Sequence, residues 1–288
     1  MTQLRLHNSD LDLTISPQNG GGIVSFDAFG EQILVPAPDP IRISTDPAAF
    51  VLVPYCNRMA HGKATFEGQS IELAPNLEGE THPLHGEGWL SEWNVVAFDE
   101  RAAELSLSYR PLSGRWPWAF DATQRYELTP GGLRHVLSVR NMSEQPMPAG
   151  LGFHPYFLRE PCISFEAEVG GIWRTDKDQL PTLQAALPQG GPWPAGQFEP
   201  DLGLDHCFTG WERKLRIVRK NVHITLIASA ELGLLHVYAP VGGTFFCAEP
   251  VSHMPDALNQ PDGGSQMRVL EPGEVFEAEI SYLIEKSA

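Results

Sequence analysis

Two short runs, far apart in the chain, carry residue types that move protons. The first, Gly152-Phe153-His154-Pro155-Tyr156-Phe157, sets a histidine among aromatics and a proline. A fixed, partly apolar setting shifts an imidazole within the range useful for proton transfer near neutral pH. Taken alone, the run fits either a packed imidazole at a strand end or a proton-transfer group. The second run, Glu249-Pro250-Val251-Ser252-His253-Met254-Pro255-Asp256-Ala257-Leu258-Asn259, offers the carboxylate that an acid–base pair needs. Glu249 closes an apolar strand, Thr244-Phe245-Phe246-Cys247-Ala248, and a glutamate in such a place is rarely buried without a partner. His253 and Asp256 read as servants of the local turn.

Three further polar positions follow apolar stretches or precede tight turns. Asn57-Arg58 follows Phe50-Val51-Leu52-Val53-Pro54-Tyr55, Leu84-His85-Gly86-Glu87-Gly88-Trp89 places a histidine before a glycine-flanked turn, and Leu204-Asp205-His206-Cys207-Phe208 embeds an acid and a histidine. Each has an ordinary use: a surface ion pair for Arg58, a turn hydrogen bond for His85, a loop cap for Asp205. Together they have the form of a site assembled from loops on a rigid sheet. The ten histidines show no H-x-H or H-x₃-H spacing, so no metal site is expected. No G-x-S-x-G elbow, P-loop or dinucleotide fingerprint occurs.

The elements that must position these residues are strands almost throughout. Leu11–Ile15, Glu104–Tyr109, Leu133–Val139, His223–Ile227 and Phe276–Ile284 alternate apolar with polar, the pattern of half-buried antiparallel strands. Turn signals such as Asn19-Gly20, Pro130-Gly131-Gly132 and Asp262-Gly263-Gly264 are frequent. Helices are expected to be few and short: one turn over Pro255–Asn259 and a short connector over Leu180–Leu187. Residues 188–200, rich in Pro and Gly, read as an irregular surface loop. No composition shift or repeat divides the chain, so residues 1–288 are expected to form one all-β domain, a large antiparallel β-sandwich.

The net charge of −16, from 36 acidic residues against 20 Lys and Arg, excludes the basic face that a nucleic-acid partner needs. The densest basic cluster, residues 212–220, reads as a solvated strand face. Cys56, Cys162, Cys207 and Cys247 are widely spaced, which points to reduced thiols and a cytoplasmic protein. No apolar stretch approaches the roughly 18 residues needed to span a bilayer, and the N-terminus lacks the apolar core of a signal peptide.

In their order along the chain these runs resemble the aldose 1-epimerase (galactose mutarotase) family. Asn57-Arg58, Leu84-His85-Gly86, the His154 run, Leu204-Asp205-His206 and the segment from Cys247-Ala248-Glu249 to Pro255-Asp256-Ala257-Leu258-Asn259 carry the likeness. The resemblance implies a large antiparallel β-sandwich, no cofactor, a small sugar as partner, a monomer or homodimer, and interconversion of sugar anomers. It implies Glu249 as general base and His154 as general acid, with Arg58, His85 and Asp205 holding the sugar. It also implies that Glu249 is ionised and His154 charged in the resting complex, although the aromatics around His154 work against its charge. Trp89, Phe157 and Trp211 are candidates to stack on the sugar, but most tryptophans belong to the core or rim. Two departures, Glu249-Pro250-Val251 for Glu-Thr-Gln and His85-Gly86-Glu87 for His-Gly-Gly, fall at positions expected to line the site and bear on sugar choice more than on chemistry. The alternatives within the fold are a hexose-6-phosphate 1-epimerase, which carries an arginine where this chain has Glu87-Gly88-Trp89, and a non-catalytic carbohydrate-binding protein.

Overall fold

Alternating burial divides the strands between two large antiparallel sheets whose inner faces meet. The structure, a computed structural model, describes residues 3–160, 162–187, 203–260 and 267–287. The smaller sheet has eight strands in the order Cys162–Ala167, Lys214–Arg219, Val222–Ala228, Val275–Lys286, Gly132–Asn141, Phe120–Thr129, Ala102–Tyr109 and Asn94–Phe98. Its strands keep the period of two seen in the sequence: in Val275–Lys286, Phe276, Ala278, Ile280, Tyr282 and Ile284 are buried and most residues between them are not. One face of this sheet is packed and the other is largely open, apart from Val136 and Ser138 on the Gly132–Asn141 strand, which is why alternation found its strands.

The larger sheet has eleven strands. From one edge it runs Leu4–His7, Leu11–Ser16, Gly22–Ala28, Ala49–Leu52, Gly152–Leu158, Phe245–Val251, Leu234–Ala239, Leu204–Thr209, Gly171–Thr175 and Pro181–Ala186, with Glu31–Gln32 paired to Gly22–Ala28. Its central strands are covered on both faces. Every residue of Ala49–Leu52 is buried, as is all of Phe245–Val251 after its first residue. Val51, Phe153, Phe157, Val237, Phe246 and Ala248 point into the core between the sheets. On the opposite face Phe50, Leu52, Leu84, Trp89 and Val251 form a second, small apolar cluster. Burying both faces turns a strand into a continuous apolar run, so the few polar residues inside such runs are conspicuous.

Among the described residues the helices are three single 3₁₀ turns, and Ala257–Asn259 falls where one turn is expected. The connector over Leu180–Leu187 is corrected: Pro181–Ala186 is a strand that pairs with Gly171–Thr175, Ile172 opposite Ala185. It is an edge strand with most side chains outside, so it shows no periodic apolar face. The basic cluster is half corrected. Lys214 faces solvent, whereas Arg219 is buried and donates to the carbonyls of Gln32, Ile33 and Leu158. The proposed loop at 188–200 lies outside the described residues. No described helix is long and apolar enough to cross a membrane.

Candidate active site

The second face of the larger sheet is the floor of a cleft of about 520 Å³. Strand register lines up side chains across this floor. His154 pairs with Phe50, and His236 with Glu249. The register that pairs Gly152 with Val251 and Tyr156 with Cys247 sets His154 across from Glu249. His154, Glu249 and His236 therefore stand side by side on three consecutive strands. His154 Nε2 lies 3.3 Å from Glu249 Oε1.

His154 is held by rings. Phe50 stacks on it at 4.5 Å and Tyr156 at 4.9 Å, and His85 meets it edge-on at 5.3 Å. Burial pushes the His154 imidazole down to about 3, with the charge of His236 acting in the same direction. Burial pushes the Glu249 carboxyl the other way, up to about 8, although His236 opposes the rise. Near neutral pH the pair thus holds one proton, and in the unliganded cleft that proton sits on Glu249. Without sugar, desolvation favours the neutral form of both groups, whereas the expectation of an ionised Glu249 and a charged His154 concerns the sugar complex.

Loops bring Arg58 and His85 to the cleft, and the Leu204–Thr209 strand brings Asp205. Arg58 reaches Asp205 Oδ2 at 3.4 Å and Glu80 at 3.8 Å. Asn57 has a left-handed backbone, φ 58°, which turns the chain out of its strand. His85 shares that conformation, φ 58°, and its Nδ1 accepts the Asn57 backbone N–H, so it anchors the neighbouring loop rather than its own turn. Gly86 follows with φ +73°, and a Cβ there would sit 2.3 Å from the Val53 carbonyl oxygen, so only glycine fits this close approach. Asp205 accepts a 2.7 Å hydrogen bond from His236 Nε2. All five expected site residues, Arg58, His85, His154, Asp205 and Glu249, line the cleft.

His236 was missed, along with Tyr156, Tyr238 and Glu80 at the walls. Its signal was available: Leu234-Leu235-His236-Val237-Tyr238 is apolar apart from a histidine and a tyrosine spaced two apart, on one strand face. Of the three aromatic candidates only Trp89 lines the cleft; Phe157 and Trp211 belong to the core. The departures from the family pattern do not line the site as expected. Glu87 turns away, accepting from the Trp116 backbone N–H and pairing with Arg115 at 3.4 Å, and neither Pro250 nor Val251 reaches the cleft. His253 does more than serve its turn, since its Nε2 accepts the Cys56 backbone N–H.

One group could hold a metal among the described residues: His154, Cys247 and Glu249 offer donor atoms within 4.8 Å of one another. A tetrahedral zinc site needs donors about 3.5 Å apart, given bonds of ~2.0–2.3 Å. His154 Nε2 and Glu249 Oε1 are already this close at 3.3 Å, and an ion there would occupy both. The four cysteines are unpaired.

A large antiparallel sandwich with a cleft of acids, histidines and aromatics on its outer central strands defines the mutarotase-like class of sugar-binding folds. The aldose 1-epimerase family profile matches residues 2–283. The chain belongs to the aldose 1-epimerase family. It is 32% identical over 295 residues to the uncharacterised protein YphB of Escherichia coli K12, covering 99% of both chains. A crystal structure of an Escherichia coli K12 protein, provisionally described as an aldose 1-epimerase, superposes with a TM-score of 0.89 at 29% identity, again over 99% of each chain. A galactose mutarotase-like protein of Clostridium acetobutylicum shares the fold, with a TM-score of 0.86 at 20% identity over 98% of this chain and 95% of the other.

Proposed function

We propose that the protein is an aldose 1-epimerase that interconverts the α and β anomers of a free, uncharged hexose, with Glu249 and His154 as its proton-transfer pair. The contact of these two groups, 3.3 Å apart on the cleft floor, carries the reading. In the reactive arrangement the pair's single proton is on His154. Glu249 takes the proton of the C1 hydroxyl while His154 gives its proton to the ring oxygen, and the C1–O5 bond breaks as the C1 carbonyl forms. Rotation about C1–C2 by about half a turn presents the other carbonyl face. Closure then reverses both transfers, Glu249 returning a proton to O1 and His154 recovering one from O5. The reaction is neutral overall, and the pair holds one proton at each stage.

The unliganded proton arrangement, Glu249 protonated and His154 neutral, is the one the pair reaches when the ring is open. Sugar hydroxyls that hydrogen-bond the carboxylate would return the proton to His154 at the start of a turnover. Arg58, His85 and Asp205 would hold the hydroxyls and ring oxygen so that only a productive pose is bound.

This mechanism fixes a pH profile. The pair carries one proton between about 3, set by His154, and about 8, set by Glu249. After subtraction of buffer catalysis, kcat/KM measured by polarimetry should be level through neutral pH and fall above about 8 as the pair loses its proton. A rate that keeps rising past pH 9 would exclude the one-proton pair.

The charge of the cleft supports a free sugar. Arg58 is the one Arg or Lys among the described lining residues, and both Asp205 and Glu80 already engage it. Asp46, Glu80, Asp205 and Glu249 line the same space. A phosphate dianion would meet these acids while Arg58 and His236 are already engaged by Asp205, and like charges placed together cost several kcal/mol. Free hexoses should therefore exceed hexose 6-phosphates in kcat/KM by on the order of 10²-fold or more, as read in an NMR anomer-exchange panel. Preference for the phosphorylated sugars would reverse the assignment, and sugar binding in calorimetry with no acceleration of exchange would make the protein a binding member of the family.

A further inference from the structure

We infer that His236 is a positioning residue of the reaction: hydrogen-bonded to Asp205 and directly opposite Glu249 in the strand register, it steers the pair's proton off Glu249 and on to His154. The inference rests on Glu249 being the base. His154 and His236 flank Glu249 on the two neighbouring strands, but they play different parts. His154 is stacked between Phe50 and Tyr156, and among the described residues its one ion-pair carboxylate is Glu249, with Asp205 felt from farther away. His236 is equally buried, yet its Nε2 donates to Asp205 Oδ1 at 2.7 Å and its ring faces Glu249 from the adjacent strand.

The groups around His236 decide its charge. From the Leu204–Thr209 strand come Asp205 and the Cys207 thiol, with His206 also close enough to be felt; from the Phe245–Val251 strand comes Glu249. Arg58 engages Asp205 from the loop side, and His85 and His154 stand across the cleft. Burial disfavours the imidazolium, but Glu249 and Asp205 outweigh it and raise His236 to about 10. His85 is pushed well below its ordinary value, chiefly by burial, so it adds no competing charge.

A charge at this position biases the pair. One proton can rest on Glu249 or on His154, and only the second arrangement starts ring opening. The His236 imidazolium favours a carboxylate at Glu249 and disfavours an imidazolium at His154. Glu249 is one strand away and His154 two, at about 4.8 Å per strand. Coulomb energy falls with distance, so the first effect exceeds the second. Asp205 acts on Glu249 in the opposite sense to His236 but more weakly. Asp205 thus has a second part beyond any contact with sugar: it keeps His236 charged.

The test is His236→Gln, with the pH profile of kcat/KM and a histidine NMR titration as readouts. The variant should lose about tenfold or more on the neutral plateau, and its alkaline limb should move up by about one pH unit or more, because Glu249 has lost the adjacent positive charge. In the wild-type protein one histidine should remain an imidazolium above pH 8, and its signal should be missing from the variant. A uniform loss with the limb unmoved, or a rise in KM alone, would mark His236 as structural and overturn the proposal. If the variant does not fold, the wild-type titration decides: ten histidines all neutral above pH 8 also overturn it. A wild-type protein with a charged histidine but no mutarotation would instead remove the functional reading, and this role with it.

Discussion

Glu249→Gln should slow anomer interconversion by roughly 10²–10⁴-fold, the usual worth of a general base, while leaving the fold in place. Gln has the same shape and cannot accept the C1 hydroxyl proton. The substitution should also stabilise the protein. Glu249 is 1% exposed and its Oε2 has no hydrogen-bond partner among the described residues. Its folded pKa, about 8, lies above the ordinary 4.5. A carboxyl raised in this way costs stability as pH climbs from its unfolded value to its folded one. The melting temperature of Glu249→Gln should therefore match the wild type near pH 4 and exceed it by a widening margin up to pH 8. A variant with no thermal advantage at pH 8, or with near-normal polarimetric rates, would contradict the buried-base assignment. Stability given up at a buried ionisable group is a common cost of function.

His154→Ala should have an effect of similar size on rate, roughly 10²–10⁴-fold, but the opposite effect on stability. His154 is neutral in the resting protein and serves as packing between Phe50 and Tyr156. Removing the ring opens a cavity and forfeits two stacked contacts, each worth about 0.5–1.5 kcal/mol beyond burial. His154→Gln retains more of the volume and separates the two losses: it should regain stability relative to Ala without regaining rate. Polarimetry and thermal melting of both variants measure this. Recovery of activity in His154→Gln would assign the histidine to packing and move the acid elsewhere.

The smaller sheet was easily legible in the sequence, because most of its outer face is solvated and period-two alternation survives in most of its strands. The site strands were legible in a different way. Ala49–Leu52 and Phe245–Val251 are buried on both faces, so alternation vanishes and polar residues stand out against an apolar run. That contrast marked Glu249, and the same contrast exposes His236, which no motif flagged. The edge strand Pro181–Ala186 was not legible, since an edge needs only backbone pairing and carries no burial pattern. The protonation of the pair was beyond sequence reasoning for another reason. It depends on three-dimensional burial and on a histidine thirteen positions upstream of Glu249 that only strand register brings alongside. The fate of Glu87 shows the same limit, because the sequence gives its place in a turn and not the direction its side chain takes toward Arg115.

The row of His154, Glu249 and His236 runs across the strands, so its spacing is that of a hydrogen-bonded ladder and owes little to the loops. Asp46, Glu80 and Gln179 at the cleft walls lie outside the strands. Changes in the length or charge of the walls would therefore leave the distance between Glu249 and His154 locked to the backbone. The spacing of the row and the shape of the walls around it are thus set by separate parts of the chain.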